Sequence, residues 1–229
     1  MVAYLRMADA FDEHLTTLYA CRACPNVFGQ PVTGAVAGAK VMLVGQAPGR
    51  HEVEDRRPFA YTAGQRLFGW FERFGVDEAQ FRRHVHMCAV IRCFPGRDPK
   101  SGGDRVPSAA EIANCAAHLD REIQLLRPKL VIAVGTLAAQ ALIGESELKK
   151  IVGTMHRAER AGREFDVVVL PHPSGRSTWL NKPANLKLLR RSLGLIGDHA
   201  AWRATFRRSR RAREILLPAG GEKVPRSGG

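Results

Sequence analysis

At 229 residues the chain is long enough for one well-buried domain with a decorated terminus. A composition of 45% hydrophobic and 25% charged residues excludes a fibrous or wholly disordered protein, and no apolar run approaches the roughly eighteen residues of a membrane span. Thirty-five Lys and Arg against 22 Asp and Glu leave a net charge of +13, which favours a polyanionic partner, of which nucleic acid is the commonest.

The first residues, MVAYLRMADAFDEHL, carry early acids and no apolar run ending in a cleavage site. They do not read as a signal peptide, and the expected location is the cytoplasm. Residues 5–20 predict a helix with Leu5, Ala8, Phe11, Leu15 and Leu18 apolar, running directly into Cys21-Arg22-Ala23-Cys24-Pro25. A C-x2-C step brings two thiolates onto one metal ion or cluster. Cys88, Cys93 and Cys115 follow, enough to complete a four-cysteine set. A redox dithiol and a set of free thiols stay open beside this, although a redox pair usually opens a helix after a strand, whereas this one closes a helix.

Val41–Val44 predicts a buried parallel strand that breaks at Gly45-Gln46-Ala47-Pro48-Gly49. Two glycines and a proline in five residues make a tight turn whose backbone N–H groups can face a ligand, at the strand end where open α/β sheets place their sites. Thr62 with Gln65 suggests a capping box opening a helix with Leu67, Phe68, Phe71 and Phe74 on its apolar stripe. Phe59, in the loop before it, either plugs the core or offers its ring face to a planar ligand. Residues 84–91 read as a second buried strand, 96–107 as a polar surface loop, and Ser108 with Glu111 as the cap of a helix carrying Ile112, Cys115, Leu119, Ile123 and Leu126. Loop and helix can then fold so that Cys93 and Cys115 face one point.

Leu130–Val134 is the third predicted strand, Thr136–Leu142 a helix closed by Gly144, and Val167–Leu170 the fourth strand. This order predicts an α/β fold, a three-layer α/β/α sandwich around a four-stranded parallel sheet. The last strand ends in Pro171-His172-Pro173-Ser174-Gly175, where two prolines hold a histidine on a stiff backbone beside the Gly45–Gly49 turn. The loop that follows carries Arg176, Trp179 and Asn181, and a tryptophan in a polar loop reads more readily as a contact surface than as core. Pro183 opens a helix with Leu186, Leu189, Leu193 and Ile196 apolar. From Asp198 to Gly229 eight Lys and Arg face three acids. The expected organisation is a domain over residues 1–197, then a basic helix and disordered tail over 198–229, acting as a DNA-binding arm or as a merely solvated terminus.

These residues resemble the uracil-DNA glycosylase superfamily, nearest its iron–sulfur branch of bacteria and archaea, over roughly residues 15 to 197. Gly45-Gln46-Ala47-Pro48-Gly49 matches that branch's G-E-x-P-G turn, Arg57-Pro58-Phe59 with Ala63-Gly64 keeps its P-F and A-G spacing, and Pro171-His172-Pro173-Ser174 matches its H-P-S signature. The resemblance implies a monofunctional DNA glycosylase of base excision repair, a monomer that flips a deaminated base from DNA, uracil foremost, and hydrolyses its N-glycosidic bond. It implies a 4Fe-4S cluster on Cys21, Cys24, Cys93 and Cys115. It further implies His172, Gln46 and Glu52 as catalytic residues, a base pocket of Gly45, Gln46, Ala47, Phe59, Tyr61 and Ala89, and DNA contacts from Ser174, Gly175, Arg176, Trp179 and Asn181.

The chain departs from that branch at three positions. Gln46 stands where relatives carry Glu, and Gln can hold a water but cannot take its proton, so a water-activating carboxylate comes from elsewhere or is dispensed with in a dissociative reaction. Glu52 is the nearest acidic match, with Glu54 and Asp55 behind it. Ala89 stands where relatives carry the Asn that reads uracil's edge, and Tyr61 where they commonly carry Gly. Hypoxanthine or xanthine as the excised base, a damaged-DNA-binding protein without turnover, and an iron–sulfur or zinc redox module are the competing readings.

Overall fold

In β1, Val41–Gly45, and β3, Leu130–Val134, every residue is buried, as a parallel strand covered on both faces requires. The computed structural model describes residues 2–175 and 177–206. Its sheet runs in the order β2-β1-β3-β5-β4, with β2 at His86–Ala89, β4 at Met155–Arg160 and β5 at Arg163–Leu170. Side chains alternate between two cores. Met42, Val44, Val131, Ala133, Val167 and Val169 face one, and Val41, Leu43, Leu130, Ile132, Val168 and Leu170 face the other. The first is closed by α1 (Val2–Ala20), α5 (Ala109–Leu126) and α6 (Thr136–Ile143) through residues such as Phe11, Leu119, Ile123 and Ala138. The second is closed by α3 (Thr62–Glu72), α4 (Glu78–His84) and α8 (Pro183–Asp198). Two short helices, α2 (Arg50–Glu54) and α7 (Leu148–Ile151), also lie among the described residues.

The sheet has five strands where four were expected. The added strand, β4, pairs antiparallel with β5 across a two-residue turn in which Ala161 and Gly162 both have positive φ (54° and 68°), the geometry that suits a tight hairpin. Its sequence, MHRAER, buries only Ala158, so an exposed edge strand held by Arg157 to Glu164 and Asp166 lacks the apolar run by which its neighbours are read.

Two further expectations are corrected. The helix after Phe59 begins with Tyr61 as its cap residue and no side-chain cap bond. The Gly64 and Gln65 amides donate to the Tyr61 carbonyl, so Thr62 and Gln65 form no capping box there. The domain also does not end at residue 197. Residues 200–206 are helical and Trp202 and Phe206 are buried, with Trp202 stacked on Phe71 at 5.1 Å. Read linearly they are aromatics scattered among arginines, yet at i and i+4 they share one helical face and close the second core. The remainder of the basic tail lies outside the described residues.

Candidate active site and thiol cluster

Strand register decides the site. Gly45 pairs with Ala89 and Val134 with Leu170, so the carboxyl ends of β1, β2, β3 and β5 align. The Gly45–Gly49 turn, Ala89 and the Pro171–Ser174 loop thereby meet around a cavity of about 490 Å³. Of the sequence-predicted residues Gly45, Gln46, Ala47, Glu52, Phe59, Tyr61, Ala89, His172 and Ser174 line it. Trp179 and Asn181 do not. Trp179 packs partly buried against the first core, contrary to its reading as a contact surface, and Asn181 is exposed away from the cavity. Gly175 is exposed beside Ser174, and Arg176 lies outside the described residues.

Phe59 is buried, and its ring edge comes within van der Waals reach of Gly45: a Cβ added at Gly45 would sit 3.4 Å from the ring. Its backbone has φ of 53°, a region a phenylalanine rarely adopts. Glu52 and Arg82 hold it there. The Phe59 amide donates to Glu52 Oε1, while the Arg82 guanidinium donates to the carbonyls of Pro58 and Phe59 at 2.7 and 3.0 Å and lies over the Phe68 ring. Gly64 completes the clamp, because a Cβ there would lie 1.8 Å from the Phe59 carbonyl oxygen. Gly64→Ala is expected to lower stability by about 1–3 kcal/mol and to displace Phe59, read as a shifted denaturation midpoint without a change in its slope.

Glu52 also accepts the Gly49 amide through Oε2 at 2.6 Å. Both of its oxygens thus brace the turn. Burial pushes its carboxyl above the usual carboxylate range and the two amides pull it back.

His172 packs against Gly135 at the end of β3. Burial lowers its imidazole below the ordinary value, with Asp104 opposing the shift, so the ring is neutral at pH 7. The Ser174 amide donates to Nδ1 at 3.3 Å. The proton therefore sits on Nε2, which is left to donate to a ligand. Arg66 fixes the same loop by donating to the Ser174 carbonyl at 3.0 Å. A long-range 1H–15N spectrum of the ring should show the Nε2–H form with a midpoint below about 6.5; the opposite tautomer would contradict this geometry.

Sequence reasoning missed Asp104. It lies in the loop read simply as polar surface, but Arg97, Asp104 and Arg105 face the cavity. Arg105 ties the loop down through Glu111, which it holds at about pKa 2, and through the Pro95 carbonyl. The one linear signal was an acid set between Gly-Gly and this Arg105.

Cys21, Cys24, Cys93 and Cys115 line a second cavity, of about 100 Å³. None is in a disulfide. Burial, then the three neighbouring thiols, push Cys93 up to about 12. Asn114 donates to Cys24 Sγ at 3.7 Å and to the Ala23 carbonyl, and Cys115 accepts a backbone hydrogen bond at Arg92. Four convergent soft donors with N–H groups aimed at sulfur fit a bound thiolate-ligated centre. Among the described residues, no three of the four place their sulfurs within 4.8 Å of one another. Sulfurs around one zinc ion would lie about 3.8 Å apart, given Zn–S of about 2.3 Å. The segment after Cys24 also braces the first cavity: Gly29 approaches Val53 on α2, Phe28 bridges Phe94, and Asn26 accepts from Arg105.

His86, Cys88 and Glu122 do come within 4.8 Å of one another. They are, however, occupied by a cation already present: Arg92 reaches Glu122 at 2.6 Å, with His86 and His14 at 3.2 and 3.6 Å. Burial would push the Glu122 carboxyl up, and Arg92 with the histidines overrides it, holding Glu122 well below the carboxylate range. Burial pushes the Cys88 thiol up to about 12. This is a buried ion network beneath the four cysteines.

The family model of the Uracil DNA glycosylase superfamily matches residues 31–193. A type-4 uracil-DNA glycosylase of Archaeoglobus fulgidus is 26% identical over 176 residues, covering 72% of this chain and 82% of its own. One from Pyrobaculum aerophilum is 32% identical over 149 residues, covering 63% and 69%. A type-5 uracil-DNA glycosylase of the same organism is 26% identical over 183 residues, covering 66% and 75%.

Proposed function

This chain belongs to the uracil DNA glycosylase superfamily, and we propose that it removes uracil from DNA by hydrolysing the N-glycosidic bond. The observation that carries this reading is the alignment of His172, Phe59 and the Gly45–Gly49 turn around one cavity at the carboxyl end of the sheet.

A base cannot be reached inside a duplex, so the nucleotide is extruded, at a cost of a few kcal/mol. Phe59, clamped at positive φ over Gly45, offers its face for the flipped base to stack on. Neutral His172 donates from Nε2 to the base carbonyl on which negative charge develops as the bond breaks. The Gly45 and Gln46 carbonyls accept from the Val90 and Ile91 amides, so the turn is pre-organised before substrate arrives. Ser174, Gly175 and Arg176 then meet the backbone phosphates, with Trp179 supporting their loop from the core and Asn181 at its outer edge. Cys21, Cys24, Cys93 and Cys115 hold a 4Fe-4S cluster, supported by four sulfurs set wider than one zinc ion would draw them. Cys21 and Cys24 follow α1, Cys93 follows β2 and Cys115 lies on α5, so a cluster held by these four residues would tie the three segments together and serve as a structural brace.

We place the enzyme in the cytoplasm as a monomer; no helix among the described residues is long and apolar enough to cross a membrane. Ala89 offers the base no side-chain polar group, and its carbonyl is taken by Arg92. Discrimination between bases is accordingly weaker than a matched polar pair would give. The test is base release from oligonucleotides carrying a single uracil, hypoxanthine or xanthine. Uracil release leaving an abasic site is expected; release of a deaminated purine alone would reassign the substrate, and binding without release of any base would overturn the reading.

A further inference from the structure

Hydrolysis is faster where a protein group orients the attacking water and takes its proton, and Gln46 has no basic atom for the second task. Two carboxylates line the cavity, Glu52 and Asp104. Glu52 is engaged: its two oxygens accept the Gly49 and Phe59 amides, and a proton placed on it would break the clamp that holds Phe59. Asp104 differs on each count. It is exposed to the cavity, and among the described residues no hydrogen-bond donor holds its carboxylate. Its backbone is nonetheless fixed, by the bridge to Arg97 and by Arg105, whose amide donates to the Gly96 carbonyl and whose guanidinium pairs with Glu111. Its direction is set as well. A Cβ added to Gly49 would lie 3.1 Å from Asp104 Oδ2 and 3.3 Å from Glu52 Oε2, so the Asp104 carboxylate reaches across the cavity to the turn, and its charge is felt by His172 on the far wall. Gly49 leaves the gap between these groups open.

We infer that Asp104 is the catalytic carboxylate that orients the attacking water and accepts its proton, with Glu52 acting as a brace. This rests on the glycosylase reading above. In the step, the water oxygen bonds to the sugar C1′ and its proton passes to Asp104. The C1′–N bond breaks with its electron pair going to the base, whose charge His172 meets. The base and Asp104 then exchange protons with solvent, leaving a free base and an abasic sugar.

The experiment is single-turnover release of uracil from a single-stranded oligonucleotide by the full chain, comparing wild type, Asp104→Asn and Asp104→Ala. Affinity is measured in parallel on an oligonucleotide carrying 2′-fluoro-deoxyuridine, which resists cleavage. Expected is a fall in rate on the order of 10²-fold in both variants, with affinity and melting temperature unchanged, and partial recovery of Asp104→Ala, but not of His172→Ala, by added formate. A rate for Asp104→Asn within about threefold of wild type overturns the assignment, as does a loss that formate leaves untouched and that affinity follows. Wild type that releases no uracil overturns the glycosylase reading, and the assignment with it.

Discussion

His172→Ala is expected to slow uracil release by on the order of 10²–10³-fold, the usual consequence of removing one pre-oriented donor from a developing oxyanion. Three features make the loss one of chemistry and not of folding. The ring sits between Pro171 and Pro173, so the backbone keeps its course without the side chain. One neighbour, Gly135, has no side chain to lose packing. Its Nδ1 is satisfied locally by the Ser174 amide. Affinity for uncleavable DNA should therefore change far less than the rate. His172→Gln, which places a neutral N–H donor on a chain of comparable reach, should recover part of the rate; a charged donor is not required, because burial already keeps this imidazole neutral at pH 7. Equal rates for wild type and His172→Ala would remove the histidine from the mechanism.

Arg92→Met is expected to lower stability by about 3–5 kcal/mol, the cost of leaving a buried carboxylate without its cation. Arg92 and Glu122 are both essentially inaccessible and meet at 2.6 Å, and such a loss is a large share of the roughly 5–15 kcal/mol that holds a domain together. The consequence reaches further than the pair. Arg92 also donates to the Ala89 carbonyl at the cavity wall and lies beside Cys93 and Cys115. The variant should therefore hold the proposed cluster less firmly, and with the cluster bound this would be seen as faster bleaching of visible absorbance under chelator. Arg92→Met combined with Glu122→Leu should recover much of the stability, since an apolar pair of similar volume removes the stranded charge.

The pH dependence follows with a definite sign. Glu122 is held below its unfolded value, so its contribution is fully present above about pH 4.3 and is lost as the pH falls toward the folded value, where the unfolded chain takes up a proton that the folded one refuses. Urea denaturation from pH 6 to 3 should show wild type losing stability more steeply than the double variant. Parallel curves would mean the network is not ionised as its geometry requires.

Much of the fold could be read from the chain because its strands are unusually explicit. Val41–Val44, Leu130–Val134 and Val167–Leu170 are apolar at every position, which only a strand buried on both faces allows. Turn chemistry at Gly45–Gly49 and Pro171–Ser174 marks the strand ends, and parallel topology places those ends together. Features hidden from the sequence share one cause. Strand β4 is polar because it is an edge, Trp202 and Phe206 look like interruptions in a basic run because only a helical face unites them, and Trp179 looks exposed until a core beneath it is present.

The sequence alone therefore determined the kind of site: a glycine-rich turn, a histidine between prolines, and two cysteine pairs at spacings that local structure can bring together. Which acid does what was decided only in three dimensions. Glu52, seven residues before Phe59, is drawn into bonding the Phe59 and Gly49 amides, because unpaired amides in a part-buried turn are costly and a carboxylate is the acceptor within reach. Asp104, more than fifty residues beyond that turn, is carried to its opposite side by the Arg105–Glu111 anchor. Periodicity and turn chemistry act over a few residues and are written locally, whereas the availability of a carboxylate depends on what else has packed around it, and that belongs to the folded chain.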